Sequence, residues 1–395
     1  MRSSVMRDLM AVIAMPDVIS LAGGLPNTES FPARTLDKVM HEVAMKTSAA
    51  ALQYGPTDGF EETKQNIVKV MAEEKTVVDP NDVIITTGGQ QGIDLVTRIL
   101  VDPGDTIITE APTYPGAIPS FVSFEANVIQ IPLDDDGIRT GLLLAELERL
   151  EKAGTRPKFI YIIPNFHNPA GVSLSMERRL EIVEMAKEYE LIIIEDNPYG
   201  QLRFEGEQLP TLYSLDDNHN VIYLSTFSKI ISPGIRLGWM VAPPPLLAKF
   251  NLGKQAADLC PSTLAQMIVN QYFKDFRWQD YVEEVIKVYR TRRDAMLAAL
   301  TEYFPEEASW THPQGGFYIW ATLPEYLDTV DLLALALEEQ KVAFVPGSGA
   351  WVDGSGANHM RLSFSVASEE QIDEGIKRIG KVIREQMDLY KALQG

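Results

Sequence analysis

Short apolar runs alternate with helical stretches through the middle of the chain. The runs are continuously apolar and rich in β-branched residues, which is typical of strands that are covered on both faces. Six of them are predicted as strands: DVIITT (82–87), DTIITE (105–110), KFIYIIPN (158–165), LIIIED (191–196), VIYLSTF (221–227) and LGWMVAP (237–243). Because helices separate them, the connections are crossovers, and the pattern predicts a mostly parallel sheet between helices.

The pattern changes near residue 280. Apolar residues at helical spacing in DYVEEVIKVYRTRRDAMLAALTEYF (280–304) predict one long helix, which could bridge two domains. After it, GGFYIWATLP, KVAFVPG and HMRLSFSV predict strands of a smaller domain. The last helix is expected to begin near Ser368, where SEEQ offers an N-cap and acidic residues for the first turn. The first sixteen residues predict an amphipathic helix, because Asp8 and the missing cleavage site argue against a signal peptide.

Length and charge narrow the class of protein. A chain of 395 residues is longer than one core supports, so two domains are expected. The single cysteine, Cys260, excludes an intrachain disulfide and fits a cytoplasmic location. A net charge of -20 disfavours nucleic acid and anionic membranes as partners, and no apolar stretch approaches ~20 residues. These features favour an enzyme or binding protein for small molecules.

Glycines, an aromatic residue or polar residues follow five of the six predicted strands. Ligands bind outside the carboxyl ends of parallel strands, so these residues are expected to converge on one rim of the sheet. They are the turn GGQQG (88–92), Tyr114, Asn168, Asp196 and the pair Ser228 and Lys229. The turn leads into a helix, whose free N–H groups suit a phosphate. On its own, GGQQG is better explained as a tight strand–helix turn, because it matches neither the P-loop nor the GxGxxG fingerprint.

Lys229 lies in the most specific segment, TFSKIISPGIRLG (226–238). It follows an apolar strand, and Arg236 comes shortly after it. Partial burial and neighbouring cations lower the pKa of a lysine, which makes the amine able to attack an aldehyde. The hydroxyls of Thr226 and Ser228, with the Arg236 guanidinium, suit a phosphate.

Asp196 ends the apolar run LIIIED. A carboxylate at the buried end of a strand needs a partner, and a protonated pyridine nitrogen would supply one. The alternative is a structural role as the first residue of an Asp-Asn-Pro turn.

The ordered set of segments resembles the class I and II aminotransferases of fold type I. The matching segments are SLAGGLPNTESFP, YGPTDG, GGQQG, APTYPG, NPAG, EDNPY, TFSKIISPGIRLGW, GGFYIW and RLSFS, and they span nearly the whole chain. The first of them is similar to the kynurenine/2-aminoadipate aminotransferase subgroup. The resemblance implies an α/β fold, with a large domain built on a mostly parallel seven-stranded sheet between helices and a smaller α+β domain. The expected limits are 1–45 for an N-terminal arm and part of the small domain, 46–285 for the large domain and 286–395 for the small one.

The resemblance also implies the cofactor, pyridoxal 5′-phosphate, and a role for each site residue. Lys229 would hold the cofactor as a Schiff base and shuttle the proton, and Asp196 would pair with the pyridine nitrogen. The remaining assignments are Tyr114 against the ring, as a third catalytic residue; Tyr199 and Asn168 at the ring oxygen; Gly89, Gln90, Thr226, Ser228 and Arg236 at the phosphate; Tyr54 at the phosphate of the partner subunit; and Arg361, Asn168 and Gly24 at the substrate, with Arg361 on its α-carboxylate. Relatives often have serine where Gly89 stands, so one phosphate hydroxyl is missing. No metal site is expected.

The resulting hypothesis is a cytoplasmic, homodimeric aminotransferase with shared active sites. It would move an amino group from an aromatic, aliphatic or 2-aminoadipate-like amino acid to a 2-oxo acid such as 2-oxoglutarate. A lyase or decarboxylase on the same fold is the alternative, although an arginine that retains the carboxylate disfavours decarboxylation. A regulator with a DNA-binding helix-turn-helix is a third possibility, which the acidic charge and the early start of the resemblance disfavour.

Two finer expectations follow from the same segments. The peptide bond before Pro169 is predicted to be cis, since NPAG must turn the Asn168 side chain back into the site. The segment VIAMPDVISLAGG would cover the substrate side chain with Ile13 and Met15, next to Leu25. It contains no arginine, and the nearest are Arg7 and Arg34, on either side of it. Aromatic or long aliphatic donors are therefore expected to be better than 2-aminoadipate or aspartate.

Overall fold

In the computed structural model, residues 17–394 are described. The predicted N-terminal helix lies outside them. The strands are β1 Ile19–Ser20, β2 Val83–Thr86, β3 Thr106–Ala111, β4 Asn127–Asp134, β5 Gly137–Ile138, β6 Phe159–Ile162, β7 Ile192–Asp196, β8 Val221–Thr226, β9 Gly238–Val241, β10 Ser309–Trp310, β11 Tyr318–Thr322, β12 Val342–Ala343, β13 Val345–Pro346 and β14 His359–Ser363. The α-helices are α1 Ala33–Lys46, α2 Ser48–Ala51, α3 Glu61–Glu73, α4 Gly89–Leu100, α5 Ile118–Ser123, α6 Thr140–Lys152, α7 Met176–Glu188, α8 Leu212–Leu215, α9 Pro244–Asp258, α10 Thr263–Asp275, α11 Trp278–Tyr303, α12 Thr329–Gln340 and α13 Glu369–Gln394.

The large sheet has the strand order β2-β9-β8-β7-β6-β3-β4-β5. The neighbours from β8 to β4 pair in parallel, and β9 is antiparallel to both β2 and β8. The predicted mostly parallel sheet is confirmed, with seven strands of four or more residues. β5 adds a two-residue eighth strand, antiparallel to β4. β4 itself escaped the residue pattern, because this strand near the sheet edge is only partly buried and carries polar residues.

Both faces of the large sheet are covered by helices, as the apolar runs indicated. Consecutive residues of β3 show this, because Ile107 packs into one buried cluster with α4 and α9, while Ile108 packs into another with α6 and α7. Side chains alternate between the faces of a strand, so a strand with two buried faces is mainly apolar on both. The carboxyl ends of these strands carry the polar residues.

A second, antiparallel sheet has the order β10-β11-β14-β13. The predicted long helix is α11, and it packs along the predicted last helix, α13. Ser368 caps α13 as expected, since its hydroxyl accepts the N–H of Gln371 at 3.2 Å and its own N–H donates to the Gln371 side chain at 3.0 Å. β1 pairs in parallel with β12, which ties the segment before α1 to this part of the fold.

The predicted domain limits, 46–285 and 286–395, stay a prediction. Within residues 17–394, none of the helices combines the length and the apolar character that a membrane span requires.

Candidate active site

One cavity of about 270 Å³ lies at the carboxyl ends of β7 and β8, beside the first turn of α4. The smaller sheet closes it from the other side through β11 and β14. The lining residues are Gly24, Leu25, Gly89, Gln90, Ile93, Tyr114, Ile163, Asn168, Asp196, Pro198, Tyr199, Thr226, Ser228, Lys229, Pro233, Arg236, Tyr318 and Arg361. The structure thus brings together every predicted site residue except Tyr54, and the convergence at strand ends occurs as expected.

Lys229 ends a short 3₁₀ helix, Phe227–Lys229, that follows β8. Thr226 fixes this turn, because its hydroxyl accepts the Ser228 N–H at 3.1 Å and donates to the Leu237 carbonyl at 3.0 Å. Burial lowers the pKa of Lys229 to about 8, with smaller contributions from the nearby guanidinium groups of Arg361 and Arg236. A large fraction of the amine is therefore neutral, and nucleophilic, near pH 8.

Asp196 is the last residue of β7, and its side chain is buried. The Tyr161 hydroxyl donates a hydrogen bond of 2.5 Å to its carboxylate. Burial raises the pKa of Asp196 to about 6, against the effect of Tyr161 and with a further contribution from Glu110. The raised pKa shows that the carboxylate lacks full compensation, so a cation placed in the cavity beside it would be bound favourably.

The first turn of α4 and Arg236 form an anion site at one end of the cavity. A side chain built on Gly89 would meet nothing within 4 Å, so the start of this helix opens onto free space. Gly88 adopts a φ of +79°, and a Cβ there would lie 2.4 Å from Nη2 of Arg236. The positive φ favours glycine at this position, and a side chain there would also displace the guanidinium. Free N–H groups and a fixed cation together suit a phosphate.

Three residues predicted at the phosphate have other contacts in the structure. The Gln90 side chain donates to the Gly116 carbonyl at 2.8 Å and to the Ser120 hydroxyl at 3.1 Å, so it holds the loop that carries Tyr114. The hydroxyl of Thr226 lies 2.8 Å from that of Ser228. Because the Thr226 proton goes to the Leu237 carbonyl, Ser228 is the donor of this bond, and its proton would reach a ligand only after leaving Thr226.

Arg361, on β14, lies at the opposite side of the cavity and is buried. Its Nη1 donates to Oδ1 of Asn168 at 3.0 Å, and its Nη2 donates to the Ala22 carbonyl at 2.9 Å. The guanidinium also lies 4.4 Å from the ring centre of Tyr318. Arg361 and Asn168 are therefore held side by side, an arrangement that suits a carboxylate. The predicted cis bond between Asn168 and Pro169 is confirmed, and a second one, between Ala111 and Pro112, was not predicted.

Four buried residues around the cavity were not singled out from the sequence. Tyr161 holds Asp196, and Tyr318 contacts Arg361. Glu110 accepts the Ile163 N–H at 2.8 Å and lies 3.0 Å from Nε2 of His167. Glu110 carried the signal that identified Asp196, a carboxylate at the end of an apolar strand. The two tyrosines carried none, because an aromatic residue in a strand is ordinarily part of the core.

Tyr54 does not reach the cavity of its own chain. Tyr54 is 77% exposed, and Leu52, two residues before it, is 80% exposed. Its role at the active site of a partner subunit stays a prediction.

Comparisons with known proteins agree with this geometry. A family model described as aminotransferase class I and II matches residues 16–379. The aromatic-amino-acid aminotransferase 1 of Thermococcus litoralis is 43% identical over 98% of this chain and 93% of its own length. The 2-aminoadipate transaminase of Thermus thermophilus is 36% identical over 97% and 94%. The crystal structure of a Pyrococcus horikoshii kynurenine aminotransferase, solved with PMP, matches with a TM-score of 0.94 and 40% identity, covering 98% of this chain and 95% of that one.

The lowered pKa of Lys229 predicts the pH at which the cofactor-free protein captures an aldehyde. With pyridoxal phosphate as the probe, the initial rate should rise with pH and level off above about 8, where the amine is neutral. Stopped-flow absorbance measures the rate, and borohydride trapping with peptide mapping identifies the lysine. Lys229→Ala is the control and should retain only slow surface labelling. A rate that climbs to about pH 10, the ordinary lysine range, or a label on another lysine would contradict this assignment.

Proposed function

Because the chain belongs to the class I and II aminotransferases, which use pyridoxal 5′-phosphate, we propose that it transfers the amino group of an aromatic or long aliphatic amino acid to a 2-oxo acid such as 2-oxoglutarate. The observation that carries the proposal is the arrangement in one cavity of a lysine with a lowered pKa and a buried carboxylate, between an anion site and a carboxylate site. Buried Arg361 would retain the substrate carboxylate, which disfavours a decarboxylase; a lyase on the same fold remains the alternative.

The residues fit the cofactor at three points. The Lys229 amine suits its aldehyde, the incompletely compensated Asp196 carboxylate suits its ring nitrogen, and the α4 start with Arg236 suits its phosphate. Tyr114 would cover the ring, and Tyr199 and Asn168 would hold the ring oxygen. When bound, the cofactor supplies an electron-withdrawing ring that eases removal of a proton from the substrate α-carbon.

The chain's own residues bind the substrate and move that proton. Arg361 and Asn168 would hold the α-carboxylate, with Gly24 close by, which fixes how the α-carbon faces the lysine. The Nζ of Lys229 would take the proton from the α-carbon of the substrate and deliver it to the cofactor. Its pKa of about 8 suits both directions, because general acid–base catalysis is most effective near the working pH.

The charges in the cavity favour donors with an apolar side chain. Within the described part of the chain, the cations that line it are Lys229, Arg236 and Arg361, and each has a proposed partner already. A second carboxylate, on a donor or on an acceptor such as 2-oxoglutarate, would find no cation among the described residues, at a high cost. Turnover with 2-oxoglutarate would therefore need a cation from outside them. Leu25 and Ile93 contribute apolar surface instead. The expectation about the amino donor also involves Ile13, Met15 and Arg7, which lie outside the described residues.

The active unit is proposed to be a homodimer in which Tyr54 of one chain completes the other chain's phosphate site. Tyr54, Leu52 and Leu264 are all exposed apolar residues, which suits an interface. A cytoplasmic location stays a prediction.

Asp196→Asn should lower kcat by at least about tenfold, roughly 1.4 kcal/mol, because a neutral amide cannot keep the ring nitrogen protonated. The cofactor-free variant should unfold at no lower temperature than wild type at pH 7. The pKa of Asp196 is raised from 3.8 to about 6, so ionisation of the buried carboxylate costs stability as pH rises through that window, and the amide avoids this cost. Steady-state kinetics and calorimetry measure the two effects. Asp94→Asn is the matched control: Asp94 lies on α4 outside the cavity and is half-buried, with its carboxylate paired to Arg98. Normal turnover of a folded Asn variant would refute the role.

Shared active sites can be tested by mixing two inactive variants. Lys229→Ala and Tyr54→Ala chains should each lose activity, but after subunit exchange a hybrid dimer would contain one intact site. Random exchange should restore about a quarter of the wild-type sites, because half of the dimers are hybrids. Light scattering should give twice the 44.0 kDa chain mass. Full activity at the single-chain mass, or no recovery on mixing, would contradict the proposal.

The amino donor is tested by kcat/KM for leucine, phenylalanine, kynurenine, 2-aminoadipate and aspartate, each with 2-oxoglutarate. The three monocarboxylic donors are expected to lead. If the dicarboxylic donors lead by about tenfold or more, a cation outside the described residues lines the pocket. If none of the donors is turned over while the Lys229 adduct still forms, the protein uses the cofactor for another reaction.

A further inference from the structure

Tyr318 enters the cavity from the smaller sheet. It is the first residue of β11, and its register partner on β14 is Ser363, two residues from Arg361. Tyr318 is only 2% exposed, although it lines the cavity. A buried phenol in a cavity wall must place its hydroxyl on a partner, so its contacts are informative.

The hydroxyl of Tyr318 lies 3.3 Å from the hydroxyl of Tyr199. The two residues come from different sheets, since Tyr199 follows β7 and Tyr318 begins β11. The Tyr318 ring lies under the Arg361 guanidinium at 4.4 Å. The Gly24 segment closes over it, because a Cβ on Gly24 would stand 2.2 Å from the Tyr318 oxygen. The ring is thus held on two sides, and its hydroxyl points at one group.

The two hydroxyls share one hydrogen bond, so one proton remains for a third partner. Burial, followed by the presence of Tyr318, raises the pKa of Tyr199 well above its ordinary value of 10, so Tyr199 keeps its proton. If that proton is donated to an acceptor in the cavity, the hydrogen bond between the two hydroxyls must be donated by Tyr318. Donation in series strengthens the outer donor, because each bond polarises the next.

We propose that Tyr318 is a positioning residue, which donates its hydroxyl proton to Tyr199 and thereby directs the Tyr199 proton to the ring oxygen of the cofactor. The inference rests on the proposed function and adds a residue to it. The ring of Tyr318 also packs against the guanidinium of Arg361. One side chain thus contacts both Tyr199, at the ring oxygen, and Arg361, at the substrate carboxylate. Both depend on the placement of β11 and β14 against the large sheet.

Tyr318→Phe removes the hydroxyl and retains the ring under Arg361. The readout is the pH midpoint of the visible absorbance change of the bound cofactor, measured without substrate. A donated hydrogen bond stabilises charge on the ring oxygen, so weakening it should raise the midpoint by about half a pH unit or more. Tyr199→Phe should raise it further, and adding Tyr318→Phe to that variant should change nothing more. KM for the amino donor should stay within about twofold, because the ring–guanidinium contact remains.

Tyr318→Leu removes the ring as well and should raise KM together with the midpoint. Tyr272→Phe, which deletes the hydroxyl of a buried tyrosine outside the cavity, is the control and should leave the midpoint unchanged. An unshifted midpoint in Tyr318→Phe beside a shifted one in Tyr199→Phe would overturn the inference and leave the proposed function standing. Additive shifts in the double variant would also overturn it. If the wild-type protein gives no Lys229-dependent absorbance, the proposed function itself fails.

Discussion

The constraint on which the site depends is the burial of charge: among residues 17–394, neither Asp196 nor Lys229 forms an ion pair. Asp196 is the last residue of β7, and the neutral phenol of Tyr161 donates a hydrogen bond to its carboxylate. Lys229 lies in the same cavity with a pKa of about 8, again mainly because of burial. Such an arrangement costs free energy in the ligand-free protein. It becomes favourable when a ligand brings a cation to the carboxylate and an electrophile to the amine, so the cavity is prepared for one kind of molecule.

The sheet supplies the rigidity that this arrangement requires. Strands buried on both faces cannot shift without disrupting two packed layers, so the residues at their ends are held in place. β7 and β8 deliver Asp196 and the Lys229 turn from neighbouring positions in the sheet. The start of α4, next to them, contributes its free N–H groups at the anion site. The chemistry is thus divided among strand ends, and the large sheet sets the distances between them.

In the proposed function, the smaller sheet supplies the residues that recognise the substrate. Arg361 and Tyr318 lie on the paired strands β14 and β11, and they meet Asn168 and Tyr199 from the large-sheet side. The two sides of the cavity are therefore joined by hydrogen bonds between residues that come from different sheets. A substrate bound to Arg361 would therefore also contact residues that hold the cofactor, such as Asn168.

The sequence by itself determined the main strands, the long helices α11 and α13, the parallel sheet and the cluster of polar residues at the strand ends. These features follow from local patterns, because periodicity reports burial and strand ends of a parallel sheet meet at one edge. Lys229, Asp196 and the cis bond at Pro169 were found in this way, with the family resemblance supplying their roles. β4 escaped because its partly exposed position leaves no continuous apolar run. The pairs Tyr161 with Asp196, Tyr318 with Tyr199 and Glu110 with His167 were decided only by the tertiary structure. Each joins residues that are distant along the chain, and the shifted pKa values depend on burial, a property that the folded chain has and the sequence pattern does not record.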